Sequence, residues 1–248
     1  MARTARGDQL LRRIETDGRI SVGTLAQELG VTQSTIRRDL ARLASDGRIV
    51  RTYGGAQTIA GNGGSLGDIR SAAKRSIAAA AAARVRDGDT ILISSGTTTL
   101  EFARHLLDRR LTVITNALDV AAVLIDRPGI ELVVLGGVVR PTMHSTLGHL
   151  AELALRELRA DTLFMGIGAI GKDLSLMNDS IPEIMTDRAL RHASRDCVVL
   201  ADATKFRSVA PALVFGIDQV TTLVTDAGVA SDDVDAVRAA GVEVVIAP

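Results

Sequence analysis

Apolar residues recur at helical spacing from the amino terminus onward. Leu10, Leu11 and Ile14 lie on one face of residues 8–16, and Asp17-Gly18 ends that helix. After a short extended piece at Ile20, Ser21 stands as an N-cap before a second stripe of Val22, Leu25, Ala26 and Leu29. Gly30-Val31 turns the chain. Thr32 caps a third helix over Gln33–Ser45, whose inward positions are Ile36, Leu40 and Leu43. Residues 48–53 (RIVRTY) read as a strand, with Gly54-Gly55 turning back. Periodicity is then lost through 58–68 (TIAGNGGSLGD), which marks a domain boundary.

From about Lys74 the pattern becomes an alternation of helix and strand. Helices are predicted at 74–86, 98–108, 117–125, 149–158, 183–194 and 231–240. Strands are predicted at 91–94, 111–115, 131–136, 162–168, 197–202, 220–225 and 242–247. Continuous Val, Ile and Leu strands between amphipathic helices predict a mostly parallel sheet covered on both faces. The expected organisation is a small N-terminal winged helix-turn-helix (1–57), a linker (58–73) and a larger α/β domain (74–248).

Composition narrows the functional classes. A chain of 248 residues, 46% apolar and 23% charged, can bury a sizeable core and is not disordered. Charged residues interrupt every apolar run before the roughly 20 residues a spanning helix needs. The Arg-rich start has no apolar core of a signal peptide, and the single cysteine, Cys197, suits a reducing cytoplasm. With no Trp, four Phe and one Tyr, a base-stacking platform is not expected. The zero net charge hides an asymmetry: residues 1–56 hold ten arginines and six acids, while 57–248 hold 19 basic and 23 acidic groups. The small basic end is suited to a polyanion.

In a winged helix-turn-helix the second motif helix presents its first polar residues to the major groove, here Gln33, Ser34, Thr35, Arg37 and Arg38. Gln pairs with adenine and Arg with the guanine edge. Thr24, Thr32 and the wing residues Arg48, Arg51 and Tyr53 are placed for phosphates or for the helix cap.

The segment ISVGTLAQELGVTQSTIRRDLARLASDGRIVRTYGGA (20–56) closely resembles the DeoR/GlpR type of bacterial transcriptional regulator, above all in TIRRDL (35–40), Arg51 and Gly-Gly-Ala (54–56). The likeness continues through GDTILISSGTTT, LTVITN, FMGIGAIG and ADATKF to the C-terminus. The resemblance implies a regulator, usually a repressor, of carbohydrate-metabolism genes, with a sensor domain similar in fold to ribose-5-phosphate isomerase. The chain departs from the pattern at MNDSIPEIMTDRAL, where Asp187 stands at the usual lysine.

Ser95, Gly96, Thr97, Thr98 and Thr99 lie between a strand and a helix, where successive N–H groups and three threonine hydroxyls offer an anion cradle. Other strand ends supply Asn116, Gly137, Gly166, Gly168, Asp202 and Lys205, and ligands bind beyond the carboxyl ends of strands in open α/β sheets. Only three lysines occur (Lys74, Lys172 and Lys205), so Lys205 stands out as a point charge for a phosphate. Arg140 is a further candidate for an anionic effector. Glu183 is either a base, if the domain were an isomerase, or an acid favoured by the helix start. No histidine cluster suggests a metal, Cys197 reads as core, and the GIGAIG run lacks the context of a dinucleotide loop. The expected partners are operator DNA, a phosphorylated sugar and further copies of the chain, with neither cofactor, metal nor membrane. The competing readings are an isomerase-like enzyme and an effector-independent DNA-bending protein.

Overall fold

The computed structural model describes residues 7, 9–11, 13–14, 19–45, 49–52, 55–58 and 66–248. The chain divides into two compact units, Met1–Ala72 and Ala73–Pro248, and separate apolar clusters fill them.

In the first unit, β1 (Arg19–Ser21) leads into α1 (Val22–Glu28) and α2 (Gln33–Ser45), followed by β2 (Ile49–Thr52) and β3 (Gly55–Thr58). The strands form an antiparallel sheet ordered β1-β3-β2, with Ile20 and Arg51 flanking Ala56. Ser21 Oγ accepts the Thr24 N–H at 3.0 Å, and the Thr32 carbonyl accepts from Thr35 and Ile36. These contacts satisfy donors that a helix start leaves open. The stripes read from sequence close on one core of Leu10, Ile14, Ile20, Val22, Leu25, Ala26, Ile36, Leu40, Leu43 and Ile49. Ser21→Ala should therefore cost this unit about 1 kcal/mol. Urea unfolding followed by circular dichroism checks it, and an unchanged midpoint would show that the cap does not hold α1.

α3 (Leu66–Ala82) starts inside the 58–73 span expected to be a linker. Ala72 and Ala73 extend the alanine-rich helix backward, and Gly67 sits in the first turn, whose N–H groups have no intrahelical partner in any case.

The second unit continues through β4 (Thr90–Ile93), α4 (Thr97–Arg104), β5 (Leu111–Thr115), α5 (Leu118–Leu124) and β6 (Ile130–Val134). A hairpin, β7 (Val138–Arg140) and β8 (Ser145–Leu147), precedes α6 (His149–Glu157) and β9 (Ala160–Gly166). Next come β10 (Ala169–Ile170), β11 (Ser175–Asn178), α7 (Ile184–His192) and β12 (Ser194–Leu200). β13 (Ala212–Gly216), β14 (Thr222–Asp226), α8 (Ser231–Ala239) and β15 (Glu243–Ala247) complete it.

Seven strands form one parallel sheet in the order β15-β14-β12-β9-β4-β5-β6. Alternate residues feed opposite faces: Leu92, Leu163 and Val199 enter one core, while Ile91, Ile93, Phe164, Val198 and Leu200 enter the other. Phe164 stacks on Phe102 at 4.3 Å between ring centroids, anchoring α4 to β9. The hairpin β7–β8 and a small antiparallel sheet, β10-β11-β13, are absent from the periodicity reading. Strands of two to five residues show little alternation, and a register shift at Leu176/Met177 interrupts what there is. Among the described residues no helix is long and apolar enough to cross a membrane.

Candidate DNA-reading face and effector cavity

On α2, Gln33, Ser34 and Arg38 are exposed and Thr35 is half-buried, whereas Ile36 and Leu40 point into the core. Arg37 lies between Ile36 and Arg38 on the same helix, and Arg51 lies on β2. Thr24 is exposed on α1. The Thr32 hydroxyl lies 2.9 Å from both Ser34 Oγ and Thr35 Oγ1, so it orders the start of α2. Arg48 and Tyr53 fall outside the described residues.

A cavity of about 280 Å³ opens at the carboxyl ends of β4, β9 and β12. Because β4 adjoins β5 on one side and β9 on the other, the cavity lies where the strand order reverses, the usual ligand position in such sheets. Of the residues expected at an effector site, Ser95, Gly96, Thr97, Thr98, Arg140, Gly166, Gly168, Glu183 and Lys205 line it. Gly96, at φ +147°, precedes α4 and provides no side-chain cap, which leaves first-turn N–H groups for an anion. A Cβ there would be strained and would meet Thr99 Oγ1 at 3.2 Å. Lys205 is half-buried, and among the described residues no carboxylate lies within 4 Å of its ammonium.

Four expected residues are wall rather than lining. Thr99 is fully buried and its hydroxyl donates to the Gly96 carbonyl at 2.9 Å. Asn116 is buried with Nδ2 donating to the Thr146 carbonyl at 3.0 Å. Gly137 packs so closely on β8 that a Cβ would come 2.6 Å from the Leu147 carbonyl oxygen. Asp202 is buried, and its Oδ1 accepts the Thr204 N–H at 3.0 Å. Thr99 and Asp202 bond within the wall, Gly137 is closed in by β8, and Asn116 is buried with its Oδ1 left without a partner.

The cavity also receives Lys74, Asn178, Asp179 and Asp187, which sequence reasoning did not assign to it. The rarity of lysine marks Lys74, and the atypical MNDSIPEIMTD segment marks the others. Their convergence depends on β11, which the periodicity did not reveal. Arg140 Nη1 lies 2.5 Å from Glu183 Oε2, and Ser145 Oγ donates to Glu183 Oε1 at 3.3 Å. The Asp187 carboxylate accepts from Asn178 Nδ2 at 2.7 Å. Burial pushes the Asp187 pKa up to about 7, helped by the Glu183 charge and opposed by Asn178 and Arg140.

A larger hollow of about 660 Å³ lies at the amino ends of the strands. Most of its charges are already paired, Arg84 with Glu243 at 2.6 Å and Arg195 with Asp161 and Asp196 at 3.4 and 3.1 Å. The smaller cavity is the better ligand site for that reason. Cys197 is fully buried, which pushes its thiol up to about 12 and leaves it inert. Among the described residues no group of three or more His, Cys, Asp or Glu could hold a metal. The 166–171 run passes from β9 into β10 rather than into a helix, unlike a dinucleotide loop.

Residues 6–61 match the DeoR-like helix-turn-helix domain, and residues 69–227 match the DeoR C terminal sensor domain. The chain belongs to the DeoR family. One relative in that family is a putative aga operon transcriptional repressor from Escherichia coli O157:H7, 32% identical over 97% of this chain and 93% of the relative. The glycerol-3-phosphate regulon repressor of Escherichia coli K12 is 30% identical over 92% of each chain. Among solved structures, the ribose 5-phosphate isomerase A of Methanocaldococcus jannaschii is similar at 20% identity, covering 54% of this chain and 53% of that one with a TM-score of 0.40.

Proposed function

We propose that this DeoR-family regulator represses carbohydrate-metabolism genes in the cytoplasm, reading its operator through α2 and sensing a phosphorylated sugar in the cavity above β4 and β9. The observation that carries the sensing half is the uncapped start of α4 facing the same cavity as Lys205. Together they supply backbone donors and a point charge for a phosphate. Family membership supports regulation rather than turnover, and Glu183, the carboxylate an isomerase would use as base, is held by Arg140 and Ser145. The effector must favour one state of the regulator over another to change operator affinity, a coupling typically worth about 1–3 kcal/mol. A thermal-shift screen of sugar phosphates tests this, since a ligand at 100 times its Kd stabilises by about 2.7 kcal/mol. A screen in which no phosphorylated sugar stabilises the protein would overturn the assignment.

On the DNA side, Arg38 is exposed and opposite the buried Ile36 and Leu40, so it can be removed without opening the core. Arg38→Ala should weaken operator binding roughly tenfold and lower the salt slope by about one if the residue holds a phosphate. Fluorescence anisotropy at several salt concentrations measures both, and an unchanged affinity would remove Arg38 from the interface. Arg37 is proposed to read a base, in which case Arg37→Ala relaxes discrimination at one position.

Self-association is supported by Leu150 and Leu153 on α6 and Met185 on α7, which expose 65%, 39% and 59% of their surface. Leu150→Glu combined with Met185→Glu should shift the protein toward monomer in light scattering. A mass equal to that of the unaltered oligomer would place the interface elsewhere.

A further inference from the structure

The cavity carries opposite polarity on its two sides. Lys205 and the start of α4 favour an anion. Asn178 and Asp187 offer the reverse: Asp187 is only 8% exposed and bonded to Asn178, and among the described residues no Lys, Arg or His lies within 4 Å of its carboxylate. The nearby Arg140 is already paired with Glu183. Around Asp187, the other ionisable groups that line the cavity are Lys74, Asp179 and Lys205, while Glu152 on α6 approaches the adjacent Thr186 hydroxyl at 3.3 Å.

A carboxyl buried so far without a cation is stable in two ways. It holds a proton, or it faces a positive charge brought from outside. The cavity is its open side. At about 280 Å³ it is also small beside typical ligand pockets of roughly 300–1,000 Å³, so one compact ligand reaches both sides.

Resting on the assignment of this cavity as the effector site, we propose that Asp187, positioned by Asn178, selects a small phosphate monoester that also carries a primary ammonium, such as an amino sugar phosphate. The phosphate sits at the start of α4 and Lys205, and the ammonium donates to the Asp187 carboxylate. Below about pH 7, where Asp187 holds a proton, that proton passes to solvent as the ammonium binds. The raised pKa of Asp187 is consistent with this exchange near neutral pH.

Calorimetry at pH 7.5 with matched pairs tests the proposal: the 2-amino-2-deoxyhexose 6-phosphates of gluco, galacto and manno configuration against the parent hexose 6-phosphates, with inorganic phosphate alongside. In at least one pair the amino compound should bind tighter roughly tenfold or more, the scale of one charge-assisted hydrogen bond. Asp187→Asn should cancel that preference between the members of the pair. Because the pair comparison uses the unaltered protein, it stands even if the variant fails to fold. Binding of inorganic phosphate or a hexose phosphate with no amino preference in any pair overturns this inference and leaves the effector site intact. A preference that survives Asp187→Asn overturns the role of Asp187. Failure of phosphate and of every sugar phosphate to bind overturns the effector site and this inference together.

Discussion

Replacing Lys205 by alanine should lower the affinity for the stabilising sugar phosphate roughly 10- to 150-fold, because a charge-assisted hydrogen bond of about 1.5–3 kcal/mol is lost. The residue is fixed in place by its own backbone. Its N–H donates to the Asp202 carbonyl at 2.9 Å, and its carbonyl accepts from Ser208 Oγ at 2.5 Å. The ammonium therefore reaches the cavity from a short turn that directly follows β12, with no described carboxylate within 4 Å to neutralise it. Lys205→Arg keeps the charge but changes its geometry, so it should restore only part of the affinity. Operator binding without ligand should stay unchanged, since the proposed DNA-reading residues belong to the first unit. Calorimetry on the alanine variant, folded by circular dichroism, decides the matter. An affinity equal to that of the unaltered protein would move the phosphate away from Lys205.

The parts of this architecture that are legible in the sequence are those with long-range periodicity. The buried stripe of α2 falls at Ile36, Leu40 and Leu43, and each long apolar run from β4 to β15 lies in the one parallel sheet. Residues beyond strand ends could be proposed for the cavity because parallel topology alone brings those ends together. That argument selects Ser95–Thr98, Gly166 and Lys205, which line it. It also selects Thr99, Asn116 and Asp202, because adjacency to a strand end does not say whether a polar atom faces outward or bonds within the wall. The acidic side of the cavity was hidden for a different reason. Asn178 arrives on a strand of four residues with a bulge, and Asp187 opens no motif. Their meeting is a tertiary event that local spacing does not encode. The start of α3 at Leu66 shows the reverse error, where a Gly- and Ser-rich composition outweighed the alanines that follow it.

Asp187 should leave a signature in stability as well as in ligand choice. In the folded chain its pKa stands at about 7, against 3.8 ordinarily, chiefly because burial disfavours the charged form. Between those two values the folded state holds a proton that the unfolded state releases, so stability falls as pH rises from about 4 to about 7 and levels off above that. The shift is worth about 4 kcal/mol at neutral pH. Exposed carboxylates held low by partners, such as Asp87 beside Arg110 and Glu243 beside Arg84, act in the opposite sense. They weaken the fold only on further acidification, so the two effects separate along the pH axis. Asp187→Asn keeps the size of the side chain and removes the ionisation. Urea unfolding at pH 5 and pH 7.5 should show the unaltered protein losing stability over that interval and the asparagine variant losing much less, which makes the variant relatively more stable at the higher pH. Parallel losses in the two proteins would mean that Asp187 is ionised in the folded state throughout, and that a cation already within the protein faces it.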